Sequence, residues 1–169
     1  PDNFDLYVKA SQALQHDNKL KDALKILKEI QPRFKNNNQI YKEIGLLEYK
    51  LNLPDSAHNS LSIFCKNDST SGDAYLTLGH IANKRADYKS AFQHYSKAMA
   101  LSGPTIECKM AIADIYLKTR NHKSARKLLE EVLSERAEKA ANRMMGEAYL
   151  QAGDLRNSLS YYLKERELH

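Results

Sequence analysis

The residues able to carry chemistry are spread thinly along this 169-residue chain. His16, His58, His80, His94, His122 and His169 form no His-x-x-x-His or Glu-x-x-His grouping of the kind a metal or hydrolytic site needs. Cys65 and Cys108 stand far apart, outside any metal-ligand spacing, and read as small buried hydrophobes. One pairing suits acid–base work. His80 and Asp114 fall at equivalent places on neighbouring helical units and would face each other, so a carboxylate could orient a base. No nucleophile or glycine-rich loop accompanies them, and the pair reads as a salt bridge or a contact to a bound peptide. No catalytic residue, metal ligand or cofactor is therefore expected, and the chain is not read as an enzyme. A third grouping is basic: Lys118, Arg120, His122, Lys123, Arg126 and Lys127. Nucleic-acid binding would interleave exposed aromatics among such charges. None interleave, and Glu130, Glu131 and Glu135 follow at once, so the cluster reads as a solvated helix face. Nucleic acid is not the expected partner; an acidic protein surface is the better match.

The elements that must position these residues are helical. Apolar residues recur at helix spacing, as in Leu20, Ala23, Leu24, Leu27 and Ile30, and strand-like alternation is absent. Glycine, proline and polar runs punctuate the pattern at Pro32, Lys35 to Asn38, Pro54, Asn67 to Gly72, Gly103-Pro104 and Gly153. The spacing predicts helices over 3–15, 20–33, 38–51, 54–66, 72–84, 88–101, 105–118, 122–134, 137–151 and 155–168, with Asp87 and Asp154 as N-caps. The hydrophobic fraction of 42% and the charged fraction of 28% are ordinary for a folded chain. No apolar run approaches the roughly 18 residues of a membrane span, and no secretory leader pattern opens the sequence. An intracellular setting is the favoured expectation. The opening at Pro1 is read as an excised fragment of a longer protein, which leaves room for a preceding leader or anchor. A net charge of +5 permits weak attraction to acidic partners.

Ala23, Ala57, Ala91 and Ala125 fall 34 residues apart, and a fixed period of this size marks a repeat array. Around each alanine stands the same set of residues. One unit reads Tyr75, Leu78-Gly79 and Ala82, then Ala91, Tyr95 and Ala98, then Gly103-Pro104. The unit before it reads Tyr41, Ile44-Gly45, Ala57, Leu61 and Phe64, and the one after it Lys109, Ile112-Ala113, Tyr116, Ala125, Leu129 and Val132. The first reads Tyr7, Ala10-Ser11, Leu14, Ala23, Leu27 and Ile30. The fifth arrives one residue early, as Met145-Gly146, Tyr149, Ser158 and Tyr162. On these residues the chain resembles the tetratricopeptide repeat (TPR) family over nearly its whole length. Lys109 and Asn142 depart from an aromatic preference, and Phe64 from a preference for alanine. The resemblance implies an all-α, right-handed α-solenoid of about five helix-turn-helix repeats and about ten antiparallel helices. It spans residues 1–169 as a single array, with repeats at approximately 4–37, 38–71, 72–105, 106–138 and 139–169. The small residues let helices approach closely, and the large ones fill the space between backbones.

The resemblance further implies that the first helix of each repeat, helix A, lines a concave groove used for protein partners. The positions pointing away from helix B are Gln12 and His16; Gln39, Lys42, Leu46, Tyr49 and Lys50; Asp73, Leu76, His80, Asn83 and Lys84; Met110, Asp114, Leu117 and Lys118; and Arg143 and Glu147. Leu46, Tyr49, Leu76, Met110 and Leu117 are expected to pack nothing within their own repeat. An apolar floor edged by Lys42, Lys50, His80, Lys84 and Lys118 suits a peptide or helix with hydrophobic anchors and acidic residues. The carboxylate clamp of one TPR subclass is not expected, because its positions here hold Val8, Gln12, Glu43, Asp73 and Thr77. The expected function is a non-catalytic protein-interaction scaffold. The alternative is a structural subunit of a larger assembly, using its ends and convex face. Leu159, Tyr161, Tyr162, Leu163 and Leu168 leave the helix over 155–169 apolar where an outermost repeat is normally polar, so either the fragment was cut from a longer array or this helix packs on another subunit, with self-association through it as one expectation.

Overall fold

The computed structural model describes residues 3–68 and 70–168; Pro1, Asp2, Ser69 and His169 lie outside them. Within that span the chain forms ten helices: α1 Phe4–His16, α2 Leu20–Ile30, α3 Gln39–Lys50, α4 Pro54–Asn67, α5 Gly72–Lys84, α6 Tyr88–Ser102, α7 Ile106–Lys118, α8 His122–Glu135, α9 Lys139–Gln151 and α10 Leu155–Glu167. No strand occurs among the described residues. The boundaries follow the expected ones except at α2, which stops at Ile30 rather than residue 33. Pro32 has no N–H to continue the ladder, so after Gln31, which still keeps a helical conformation, the chain leaves through a turn. Asp87 and Asp154 cap α6 and α10 as expected, each accepting at 3.1 Å, from the Ser90 and Asn157 amides respectively.

Each odd helix packs on the even helix after it, and each even helix packs on the next odd one. The architecture is thus an all-α solenoid of five helix pairs. Every turn within a pair is closed the same way. Asn18, Asn52, Ala86, Arg120 and Gly153 take left-handed backbone conformations, φ 58–59° for the first four and 81° for the glycine. The amide after each reaches back to close the helix end, as Lys19 does to the Leu14 carbonyl at 2.8 Å and Asn121 to that of Tyr116 at 2.7 Å.

Ala23, Ala57, Ala91 and Ala125 are buried, and Ser158 is buried at the matching place in the fifth pair. Glycines on the odd helices mark close approaches to large side chains on the even helices that follow. A Cβ on Gly79 would fall 2.4 Å from the ring of Tyr95, and one on Gly146 would fall 2.8 Å from Tyr162. The core is serial rather than central. One cluster joins Leu24 and Leu27 of α2 to Ile40, Ile44 and Leu47 of α3. Others join Leu61 and Phe64 to Ala74 and Leu78, Tyr95 to Ile112 and Ile115, and Leu129 and Val132 to Ala141 and Met145.

Two buried charges sit inside this lattice. Glu48 is 2% exposed and accepts from Lys28 Nζ at 2.8 Å and from Ser60 Oγ at 2.8 Å. Lys109, where the family prefers an aromatic, is buried and donates to Glu135, with Glu131 at 3.6 Å. Both charges keep partners, as burial demands.

Candidate functional site

The array curves because its two faces are unequally crowded. Helices α3 and α5, α5 and α7, and α7 and α9 touch along one face, while no such contacts link successive even helices. The odd helices therefore line the inner surface. This surface is most elaborate at its centre, where α3, α5 and α7 meet.

His80 of α5 is its hub. Its ring stacks on Tyr49 of α3 at 6.2 Å between centroids, with an interplanar angle of 13°. Its Nδ1 lies 2.9 Å from the Tyr95 hydroxyl and its Nε2 lies 3.4 Å from Glu107. Lys84 Nζ lies 5.4 Å from the Tyr49 ring centroid, within cation–π reach. Burial, and secondarily the Glu107 carboxylate, raise the Tyr49 pKa above the usual phenol value. Burial also raises that of Tyr95, against an opposing hydrogen bond from Asn83. Both hydroxyls stay protonated at neutral pH and act as hydrogen-bonding groups.

A second cluster adjoins the first. Asp114 Oδ2 accepts from Asn83 at 2.8 Å and from Lys118 at 2.7 Å, and Lys118 also donates to Asn83 Oδ1 at 3.2 Å. The expected His80–Asp114 pairing does not form. His80 turns to Tyr95 and Glu107, because the phenol from α6 comes up between helices at hydrogen-bond distance. An open pocket of about 700 Å³ lies over both clusters, lined by His80, Asn83, Tyr95, Glu107, Met110 and Asp114 among others.

The remaining expected groove residues distribute unevenly. Lys50 donates to Gln15 at 2.8 Å, Gln39 to Glu43 at 3.1 Å, and Lys42 Nζ stands 6.0 Å from the Phe64 ring centroid. Gln12, Asp73 and Arg143 are exposed and lie outside the central clusters. The groove's apolar side chains, expected to pack on nothing within their own repeat, are joined to the serial core. Leu46, Leu76 and Met110 are half-buried and each packs on a core cluster. Leu117 is buried against Ala125 and Ala148, so it braces the helices more than it faces a partner. The basic cluster of α8 also meets rings that come from neighbouring helices: the Arg126 guanidinium lies 4.8 Å from the Tyr149 centroid.

Sequence reasoning missed Tyr95, Glu107, Arg136 and Glu138 as pocket residues. Glu107 stands at the same repeat position as Asp73, so the ruler that selected Asp73 contained it. Tyr95 is fully buried and carries the pattern of a core residue; only its hydroxyl reaches the groove. Arg136 and Glu138 belong to a link between pairs, where no periodicity guides selection. Among the described residues no group of three or more His, Cys, Asp or Glu could hold a metal, and no helix is long and apolar enough to cross a membrane.

Comparison with known proteins places this geometry. Residues 110–168 match a family model described as tetratricopeptide repeat. No curated protein sequence matches the chain. Among solved structures, MamA from Desulfovibrio magneticus RS-1 superposes with a TM-score of 0.88 at 18% identity, covering 99% of this chain and 96% of that one. Another MamA structure superposes at 0.82 with 22% identity, covering 96% of this chain and 89% of that one. YrrB, described as a TPR protein with an unusual peptide-binding site, superposes at 0.81 with 16% identity, covering 95% and 84%. The C-terminal part of the chain, residues 110–168, thus matches the tetratricopeptide repeat family, and the chain as a whole shares the fold of these solved structures.

Proposed function

We propose that the chain is a non-catalytic interaction scaffold whose concave groove holds a peptide or helical segment of a partner protein, seated on the centre of α3, α5 and α7. The observation that carries this is the Tyr49–His80 stack with Lys84 beside it. It offers a flat aromatic surface, a cation and an adjoining pocket on rigid helices, the combination that anchors an apolar side chain next to a carboxylate. YrrB, a similar fold described with a peptide-binding site, supports the same use of the scaffold. Acidic residues in the partner would be drawn by Lys42, Lys50 and Lys84; Lys118 contributes less, since Asp114 already neutralises it.

The test is affinity capture with the chain as bait, compared with a Tyr49→Ala/Lys84→Glu variant. Both side chains lie at the groove surface, so the variant should keep its helicity by circular dichroism. Proteins retained by the native chain and lost by the variant support the reading; an unchanged set of captured proteins refutes it.

A second reading, a structural subunit that assembles through its ends, is favoured by one observation. Leu155, Leu159 and Leu163 stand exposed along one edge of α10.

A further inference from the structure

A second opening lies on the side of α7 away from the groove, where α6 and α8 flank it. Its volume is about 460 Å³, within the range of ligand sites, about 300–1,000 Å³. Phe92 and Met99 of α6, Ile112 and Tyr116 of α7 and Leu128 of α8 supply its apolar lining. Ile112 is buried, Tyr116 and Leu128 are half-buried, and Phe92 is 37% exposed. The corresponding seams on either side are closed by the chain itself. One repeat on, Tyr149 and Tyr161 take the places of Tyr116 and Leu128. The Arg126 guanidinium covers Tyr149 at 4.8 Å, and the Tyr161 ring stacks on it at 5.6 Å and 12°. Two repeats back, the same places hold Glu48 and Ser60, hydrogen-bonded at 2.8 Å, with Lys28 on Glu48. At α6–α8, Tyr116 meets one ring among the described residues, the tilted Phe92 at 6.0 Å and 53°. Leu128 is too short to fill the space that Tyr161 fills in the next seam.

We propose that this opening is a second docking site, which receives an aromatic side chain of a partner protein with a carboxylate beside it. The ring takes the place against Tyr116 that Tyr161 takes against Tyr149. Aromatic anchors of this kind dominate interface energetics. The carboxylate follows from charge complementarity. Lys127 stands exposed on the rim and makes no ion pair among the described residues, and Lys123 precedes it by one turn. Glu131, also on the rim, lies 3.6 Å from Lys109 Nζ, so its charge is already met. The site shares no residue with the Tyr49–His80 seat, so either can be lost without the other.

A phage-displayed library of random peptides, panned on the 169-residue chain, tests this. The expected winners carry Phe, Tyr or Trp next to Asp or Glu. Leu128→Tyr supplies from within the ring that the seam lacks; it should keep native helicity and weaken those peptides about tenfold or more. Phe92→Ser, at an exposed position, is the second arm and should weaken them as well. Lys127→Glu should weaken them about two- to fivefold. The groove variant Tyr49→Ala/Lys84→Glu should still bind them, which separates this site from the groove reading. A library that yields no peptide, or peptides indifferent to both Leu128→Tyr and Phe92→Ser, overturns the site. Sensitive peptides without an aromatic residue overturn the occupant, and sensitive peptides indifferent to Lys127→Glu overturn the carboxylate. Single-stranded DNA that binds the native chain but not Leu128→Tyr would assign the opening to a base and overturn the protein partner.

Discussion

Replacing Gly79 by alanine adds one methyl group against the ring of Tyr95, and its effect can be worked out in advance. The new Cβ would stand 2.4 and 2.5 Å from two ring carbons of Tyr95. That ring is fully buried, so it cannot swing away. Overpacking of this kind costs about 1–3 kcal/mol. Alanine returns about 1 kcal/mol through helix propensity. The expected net loss is therefore about 1 kcal/mol, or a fall in Tm of about 2–4 °C for a domain of this size. Displacing Tyr95 also draws its hydroxyl from His80, so the groove stack should loosen along with the core. The fourth pair supplies the control, because there Ala113 sits opposite Leu129. In a Tyr95→Leu background, Gly79→Ala should become neutral or stabilising. Urea melts followed by circular dichroism, read as a double-mutant cycle, should give a coupling of about 1 kcal/mol or more. A Gly79→Ala protein as stable as the native one with Tyr95 in place, or a coupling near zero, would refute the claim that these two residues set the helix spacing.

Three further outcomes follow from the same structure. Lys28→Met removes the ammonium from buried Glu48 and should cost about 1–3 kcal/mol in denaturant melts, most of it recovered when Glu48→Met is added, because the pair then becomes apolar together. Burial, with a smaller repulsion from His58 and an opposing attraction from Asp87, holds the His94 pKa below 6.5. As pH falls below 6.5 the unfolded chain takes up the proton before the folded one, so stability declines with acidity, and His94→Gln should flatten that part of the Tm–pH curve. Ala86 holds a left-handed conformation that disfavours a Cβ. Ala86→Gly should stabilise by about 0.5–1 kcal/mol, while Asn52→Gly, at the equivalent turn, should change less because asparagine tolerates that conformation.

The periodic alanines and the glycines on the helices before them made the helix count, pairing and close contacts legible, because close packing leaves few residue types at those positions. Where the sequence was read wrongly, a local rule yielded to a neighbour in space. Pro32 stopped α2 short. The spacing of His80 and Asp114 suggested a pair, but Tyr95, Glu107, Asn83 and Lys118 lay nearer and took their hydrogen bonds. Lys109 was read as a motif departure and Glu48 was not singled out, since nothing in one helix reveals that Lys28, Ser60 or Glu135 will reach across from another. Leu117, selected as a groove residue by its repeat position, is buried where α8 and α9 converge on it.

The serial core has a mechanical consequence. Each helix is tied chiefly to its immediate neighbours among the described residues. A pull applied between the two ends is therefore carried by the inter-helix seams one after another, as in a chain of small springs. Each seam yields a little, so the array should lengthen by many small rotations before any pair gives way. The seat formed by Tyr49, His80 and Lys84 spans such a seam, between α3 and α5. Tension along the array would alter that spacing directly and make the grip on a partner sensitive to load.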